Sequence, residues 1–131
     1  MKLSTRSKYG LKALYVLAER GELLSLSRLA ALTDISEKYL EQILLLLRKA
    51  DIVAAERGTN GGYRLNHPAK DIIIGDVLRA LEDGLEVVEC NGVGCRGNCA
   101  CPTGSVWNKL YISINETLDG ITLQDMLEEN I

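Results

Sequence analysis

The sequence predicts a mainly α-helical fold: a winged helix-turn-helix with a two-stranded β wing, plus a long C-terminal dimerisation helix. Apolar residues recur at helical spacing near the N-terminus, a glycine-rich hairpin signal follows directly, and a broadly apolar helix lies near the C-terminus. The chain has 131 residues, 47% of them hydrophobic and 25% charged. This composition excludes a disordered chain, and the length suits one compact domain better than two large cores.

Two helices are expected before residue 35. The first covers residues 4–20, where apolar side chains from Leu11 to Ala18 keep helical spacing and Gly21 provides the stop. A shorter helix follows over residues 27–32. Its N-cap is Ser25 or Ser27, because a serine side chain accepts a hydrogen bond from the first helical turn.

A third helix begins after Ser36, which serves as its N-cap, while Glu37 complements the positive end of the helix dipole. Its apolar residues recur every three or four positions, so one face is buried. That face consists of Leu40, Ile43, Leu44 and Leu47, and the mostly outward residues are Glu37, Lys38, Glu41, Gln42, Arg48 and Lys49. The second and third helices, joined by a short turn, predict a helix-turn-helix.

A β-hairpin is expected directly after the third helix. Residues 53–57 and 63–65 are short strand-like runs, and Asn60, Gly61 and Gly62 lie between them. Asn-Gly and Gly-Gly pairs supply the positive φ angles that a tight hairpin needs. A helix-turn-helix followed by such a hairpin is typical of a winged helix.

Three helices are predicted after Pro68. The first covers residues 72–81 and ends at Asp83 and Gly84, with the glycine as C-cap. Pro102, with Thr103 or Ser105, opens a long helix that stops at Asp119 and Gly120. A capping box of Thr122 and Asp125 precedes a last helix over residues 123–130.

The long helix carries apolar residues over more than one stripe: Val106, Trp107, Leu110, Tyr111, Ile114 and Leu118. Such a surface belongs either to a core or to a subunit interface. We favour the interface and hence a homodimer, because two-fold-symmetric helix-turn-helix proteins place two recognition helices one helical turn of DNA apart.

Charge divides the chain into two regions. Residues 1–70 carry twelve Lys and Arg against seven acids, and residues 71–131 carry three against eleven, which gives net charges of +5 and −8. We therefore expect a winged helix-turn-helix DNA-binding region at 1–70 and a cysteine-loop sensor and dimerisation region at 71–131. No signal-peptide pattern and no run of 18 apolar residues is present, so the expected location is cytoplasmic, without membrane contact.

All four cysteines, Cys90, Cys95, Cys99 and Cys101, lie within twelve residues. Their spacing lacks the paired C-x2-4-C knuckles usual in zinc sites, although four thiolates still suit zinc. Soft thiolates in a glycine-rich loop also suit an iron-sulfur cluster, because close backbone donates N–H groups to the sulfides. We rank an iron-sulfur cluster first, zinc second and a thiol redox switch third.

An enzyme is not expected, because the sequence contains no nucleophile–base pair and no phosphate-binding loop, and hence no catalytic residue or small-molecule substrate. The alternative to a DNA-binding regulator is a small zinc or iron-sulfur protein that uses the fold for protein contacts.

Taken together, the motifs resemble the IscR, NsrR and CymR type of bacterial transcription regulators over nearly the whole chain. The similar segments are MKLST at 1–5, YG at 9–10, YLEQI at 39–43, LRKA at 47–50, RG at 57–58, GGY at 61–63, IGDV at 74–77, the cysteine loop and TL at 122–123. The resemblance implies a homodimer that binds a double-stranded DNA operator with an affinity controlled by an iron-sulfur cluster.

The resemblance also implies roles for individual residues, with the third helix in the major groove and the hairpin in the minor groove. Lys38, Tyr39, Glu41 and Gln42 then read bases and backbone, Arg48 contacts phosphate, Arg57 and Gly58 belong to the wing, and Ser4 and Thr5 hydrogen-bond to phosphate. Glutamine suits adenine, glutamate suits cytosine N4, and arginine suits a narrow minor groove.

For the cluster, the resemblance is partial. Cys90, Cys95 and Cys101 take the places of three cysteine ligands, whereas Gly104 stands where IscR-like members have a histidine. The fourth ligand is Cys99, a residue of the partner subunit, or solvent or a small molecule, and we favour Cys99. A [2Fe-2S] cluster is favoured over [4Fe-4S]. His67, the sole histidine, is expected to have a surface or structural role.

Overall fold

A computed structural model describes residues 2–87 and 102–131, which form six helices, a 3-10 turn and a two-stranded antiparallel sheet. In chain order these are α1 (Thr5–Arg20), α2 (Leu26–Thr33), α3 (Glu37–Lys49), β1 (Val53–Glu56), β2 (Gly62–Leu65), the 3-10 turn (Ala69–Asp71), α4 (Ile74–Glu82), α5 (Gly104–Asp119) and α6 (Leu123–Leu127). The mainly helical class and the winged architecture predicted from the sequence are confirmed. No helix of the described residues is long and apolar enough to cross a bilayer.

Local capping signals explain where the first three helices begin and end. Gly21 adopts a left-handed conformation (φ 63°) and donates its N–H to the carbonyl of Leu17, which closes α1. Ser25, rather than Ser27, caps α2 by accepting a hydrogen bond from the Arg28 N–H at 3.2 Å. Ser36 caps α3 in the same way, as predicted.

The main core unites α1, α2, α3 and α4. The apolar face predicted for α3 is fully buried, and Leu14 and Leu17 of α1 pack in the same cluster. Val77 and Leu81 of α4 and Leu123 of α6 belong to this cluster too. Residues from both sides of position 70 thus share one core. The division into a DNA-binding region at 1–70 and a sensor and dimerisation region at 71–131 stays a prediction about function.

Three boundaries differ from the sequence-based expectation. Helix α4 begins at Ile74 rather than at residue 72, because Ile72 and Ile73 are extended and Ile72 accepts a hydrogen bond from the Leu123 N–H. Asp83, not Gly84, is the left-handed C-cap of α4. The capping box of α6 is present, but the helix ends at Leu127, shortly before a left-handed residue at 129.

In the wing, Val53 pairs with Leu65 and Glu56 with Gly62. The hairpin prediction is confirmed, and positive φ angles occur at Gly58 (112°) and at Gly62 (159°) of the Gly-Gly pair, but not at Asn60 or Gly61. The wing joins the body through two backbone hydrogen bonds between Leu24 and Tyr63, of 3.0 and 2.7 Å. Gly62 lies against this junction, where a Cβ atom would overlap the carbonyl of Leu24.

Gly62→Ala is therefore expected to destabilise the protein by about 1–3 kcal/mol, the usual cost of forcing atoms into a closely packed site. Chemical denaturation measures the change. Gly120→Ala is the matched control, because a Cβ there would make only ordinary contacts at 3.5 and 3.6 Å. Equal free energies of unfolding for both variants would contradict the tight approach at the wing.

Candidate nucleic-acid interface

Helix α3 presents a polar face directly opposite the face that it buries. At about 100° per residue, Lys38 and Gln42 point roughly 150–170° away from the mean direction of the buried residues. Both side chains are exposed, as are Glu41 and Arg48. The structure thus places four of the predicted DNA-contacting residues on one accessible helix surface.

A cleft of about 280 Å³ lies between this face and the wing. Its lining residues are Lys38, Glu41, Gln42, Leu45, Arg48 and Tyr63. Tyr63 belongs to β2, so the wing and α3 form one continuous surface. This arrangement places the side chains that are predicted to read bases and backbone side by side.

The basic residues of this surface are available to bind an anion. Within residues 2–87 and 102–131, the side chains of Lys38, Arg48 and Arg57 form no ion pair or hydrogen bond. The other wing arginine, Arg64, pairs with Glu56 at 3.4 Å instead. Arg57 and Gly58 lie at the exposed hairpin end, directly after β1. Unpaired cations at these positions suit phosphate or a narrow minor groove.

Tyr39 is half-buried and has a packing role in addition to the predicted one. Its ring packs edge-to-face on Tyr9 of α1, with 5.9 Å between ring centroids. Such aromatic pairs stabilise beyond the area they bury. The contact holds the N-terminal end of α3 against α1.

The start of α1 is held by an acid that the sequence did not single out. Glu82, the last residue of α4, accepts hydrogen bonds from the Ser4 N–H at 2.7 Å, the Ser4 hydroxyl at 2.6 Å and the Ser7 hydroxyl. A serine hydroxyl has one proton to donate, so the Ser4 hydroxyl must break its hydrogen bond to Glu82 before it can donate to a phosphate. Thr5 is exposed. The phosphate contacts of Ser4 and Thr5 stay predictions.

These hydrogen bonds change the acidity of Glu82. Burial alone would raise its pKa, but the bonds from Ser4 and Ser7, with the nearby charge of Arg6, hold the pKa below its ordinary value of 4.5. The ionised carboxylate therefore stabilises the fold. This contribution is present above the unfolded-state pKa and is lost as pH falls through the lowered folded-state value.

Replacing Glu82 by Gln should consequently cost less stability in acid than at neutral pH. The difference in unfolding free energy between the wild type and Glu82→Gln is expected to shrink as pH falls from about 7 to about 3. Urea denaturation at each pH measures it. Asp83→Asn removes a neighbouring exposed charge and tolerates the left-handed backbone, so it is the control. If the loss of unfolding free energy in Glu82→Gln does not vary with pH, the ionised carboxylate does not stabilise the fold.

The four cysteines lie outside the described residues, and so does the segment around them. In the described part of the chain, no group of three or more His, Cys, Asp or Glu side chains is placed to hold a metal ion. His67 contacts Asp51 at 3.1 Å on the exposed surface. The ligand set Cys90, Cys95, Cys99 and Cys101 therefore stays a prediction.

The helices that flank the cysteine segment are joined by an arginine. Arg79 of α4 donates to Asn115 of α5 at 3.2 and 2.9 Å and to Asp119 at 2.7 Å. Leu78 and Leu85 pack near Leu118 in a small apolar cluster. Polar and apolar contacts together position α5 beside α4.

A family model described as "Rrf2: Iron-dependent Transcriptional regulator" matches residues 3–129. The chain belongs to the Rrf2 family. It is 37% identical over 137 residues to the HTH-type transcriptional regulator IscR of Vibrio campbellii, an alignment that covers 99% of this chain and 79% of that relative.

Solved structures of Rrf2-like regulators share the fold. IscR of T. potens is 39% identical and superposes with a TM-score of 0.79 over 100% of this chain and 89% of its own. CymR of B. subtilis, described as the global cysteine regulator, is 32% identical with a TM-score of 0.78 over 98% of each chain. The chain is thus a DNA-binding transcription regulator with a winged helix, and the resemblance inferred from its motifs is confirmed. The matching family model and the IscR relative are both described as transcriptional regulators.

Proposed function

We propose that this Rrf2 protein acts as a homodimer on a two-fold-symmetric operator in double-stranded DNA, with an affinity that an iron-sulfur cluster controls. The observation that carries the DNA-binding part is the exposed polar face of α3 and the adjacent wing, where Lys38, Arg48 and Arg57 make no ion pair or hydrogen bond with any other described residue. In this proposal residues 1–70 bind DNA and residues 71–131 sense and dimerise.

The chemistry of the donor set fits the cluster. Four thiols within twelve residues provide soft ligands, and the interleaved Gly92, Gly94 and Gly97 allow close backbone approach. The family description as iron-dependent supports iron over zinc. Cys90, Cys95 and Cys101 would hold the cluster, with Cys99 as fourth ligand and [2Fe-2S] favoured. When bound, the cluster supplies a redox-active centre whose presence depends on iron supply and oxidation.

The chain's own contacts link the helices on either side of the cysteine segment to each other and to the start of α1. Arg79 joins α4 to α5. Glu82, which lies eight residues before Cys90, joins the end of α4 to the start of α1. In this proposal, cluster binding at the cysteines acts through α4 on α5 and α1, which carry the proposed dimer surface and phosphate contacts. Such coupling is reciprocal, so DNA should bias cluster retention as cluster loading biases DNA binding.

Helix α5 supports the homodimer. None of its sixteen residues is buried in the single chain, and Val106 and Leu110 are 52% and 41% exposed. Exposed apolar residues grouped on a long helix mark a protein contact. A second copy covers the same surface on both subunits, which provides the two recognition helices of a two-fold operator.

The test compares loaded and cluster-free protein. After anaerobic purification, iron and sulfide are counted and an absorption spectrum is recorded, and the affinity for a duplex selected from a random library is measured at one salt concentration. Different affinities of the two forms are expected. Equal affinities would refute cluster control, while failure of both forms to retain any duplex would refute operator binding.

Cys99→Ser tests the fourth ligand. The variant is expected to lose or alter the visible absorption of the anaerobically purified protein and to release iron faster, because a serine hydroxyl is a poorer ligand for iron than a thiolate. Cys90→Ser and Cys101→Ser serve as references for loss of a ligand. An unchanged spectrum and an unchanged iron-release rate in Cys99→Ser would exclude Cys99 as the ligand.

A further inference from the structure

Leu45 is a large apolar residue on the polar face of the recognition helix α3. Its side chain is 48% exposed, whereas Ile43, Leu44 and Leu47 beside it are fully buried. Leu45 belongs to a run of five apolar residues at positions 43–47. Helical spacing assigns Ile43, Leu44 and Leu47 of this run to the buried face and leaves Leu45 and Leu46 unassigned.

The helix geometry places Leu45 near the centre of the outward face. At about 100° per residue, it points roughly 150° away from the mean direction of the buried side chains, as far as Gln42 does. It therefore lies between the directions of Glu41 and Gln42 and one turn further along α3. Among the described residues, Leu45 belongs neither to the buried core nor to the half-buried side chains packed against it.

The surroundings of Leu45 are those of a DNA-reading surface. It lines the cleft between α3 and the wing, with Lys38 and Arg48 on either side along the helix. Two cations that flank an exposed apolar side chain favour a polyanion that also carries an apolar group. In the major groove of DNA, that group is the C5-methyl of thymine.

We propose that Leu45 is a specificity-determining residue that contacts the C5-methyl group of a thymine in the major groove. This inference rests on the proposed operator binding through α3. Leu45 follows Gln42 by three residues, about 4.5 Å along the helix axis, and successive base pairs are about 3.4 Å apart. The thymine is thus expected one or two base pairs from the base pair whose identity depends on Gln42.

The test is a double-mutant cycle between the protein side chain and the thymine methyl group. The full chain, purified anaerobically, selects binding sites from a random duplex library, and Leu45→Ala does the same. Wild-type sites are expected to share a thymine that is not enriched among the Leu45→Ala sites. Replacing that thymine by deoxyuridine removes only the methyl group and should weaken wild-type binding about fourfold per half-site, the effect of exposing one methyl-sized group.

The same replacement should leave the affinity of Leu45→Ala unchanged. Alanine preserves helix formation at this exposed position, so loss of folding does not confuse the result. Leu32→Ala is the matched control, because Leu32 is an exposed leucine of α2 outside the cleft lining. It should retain the wild-type response to deoxyuridine.

Two outcomes would overturn the inference while operator binding stands: no shared thymine in the wild-type sites, or an equal effect of deoxyuridine on wild type and Leu45→Ala. Failure of the wild type to select any duplex would instead refute the proposed function itself.

Discussion

Leu110→Asp is expected to convert the proposed homodimer into a monomer and to lower operator affinity by about 100-fold or more. Leu110 and Val106 are adjacent on one exposed stripe of α5, where neither has a buried environment in the single chain. An aspartate at the centre of an interface between two such helices would lose its hydration without a partner, which costs several kcal/mol. Dimerisation would then no longer be favourable.

The effect on DNA binding follows from the linkage of two half-sites. A dimer binds the second half-site at a high effective concentration, and losing that linkage lowers affinity by about 10²–10⁴. Analytical ultracentrifugation measures the subunit number, and a titration of labelled operator measures the affinity.

Ser105→Asp is the control for added charge on α5. Ser105 lies five residues before Leu110, which places it about 140° around the helix, and it is also exposed. Its acidic replacement near the helix N-terminus is compatible with the dipole. Ser105→Asp should remain dimeric. A dimeric Leu110→Asp protein with full operator affinity would show that α5 is not the interface.

The second large effect distinguishes the role of the wing in DNA binding from that of α3. Arg57→Ala should weaken binding to matched and mismatched sites alike and reduce the slope of log affinity against log salt by about one per lost phosphate contact. Glu41→Ala should instead change base preference, because a carboxylate accepts from cytosine N4. The expected loss at the matched site is about 1–3 kcal/mol per half-site.

Arg64→Ala provides the comparison for Arg57→Ala. Both arginines belong to the wing, but Arg64 is paired with Glu56 and Arg57 has no partner in the described part of the chain. Arg64→Ala should therefore leave the salt dependence nearly unchanged. Affinities measured on matched and mismatched duplexes at several salt concentrations separate these cases. Indistinguishable profiles for Arg57→Ala and Glu41→Ala would contradict the two assigned roles.

Much of the helical architecture was predictable because its causes are local. The apolar spacing of α3 and its Ser36 cap act within a few residues, so pattern and structure agree there. The wing was predictable for the same reason, although the placement of its left-handed residue was not. Gly58, outside the expected pairs, has a positive φ, and Gly62 is required by the approach of Leu24, which is distant in sequence.

The remaining differences arise from contacts between distant residues. Helix α4 begins late because the Ile72 carbonyl accepts a hydrogen bond from the N–H of Leu123, fifty-one positions away. Ser4 and Ser7 donate hydrogen bonds to Glu82, which is more than seventy residues distant in sequence. Neither pairing leaves a spacing signal, since serines and acids are common on helix surfaces. Within the run of residues 43–47, helical spacing predicted the buried side chains, and the structure adds that Leu45 is exposed while Leu46 is half-buried.

By itself, the sequence determined the winged-helix class, the regulator family and the clustered thiols, because periodicity, caps and motifs depend on neighbouring residues. The tertiary structure decided which side chains of α3 and the wing share one surface and how Glu82 and Arg79 link α4 to α1 and α5. It also decided that Val106 and Leu110 of α5 stay exposed in the single chain. These features depend on the relative placement of whole helices, and the shared hydrophobic core sets that placement.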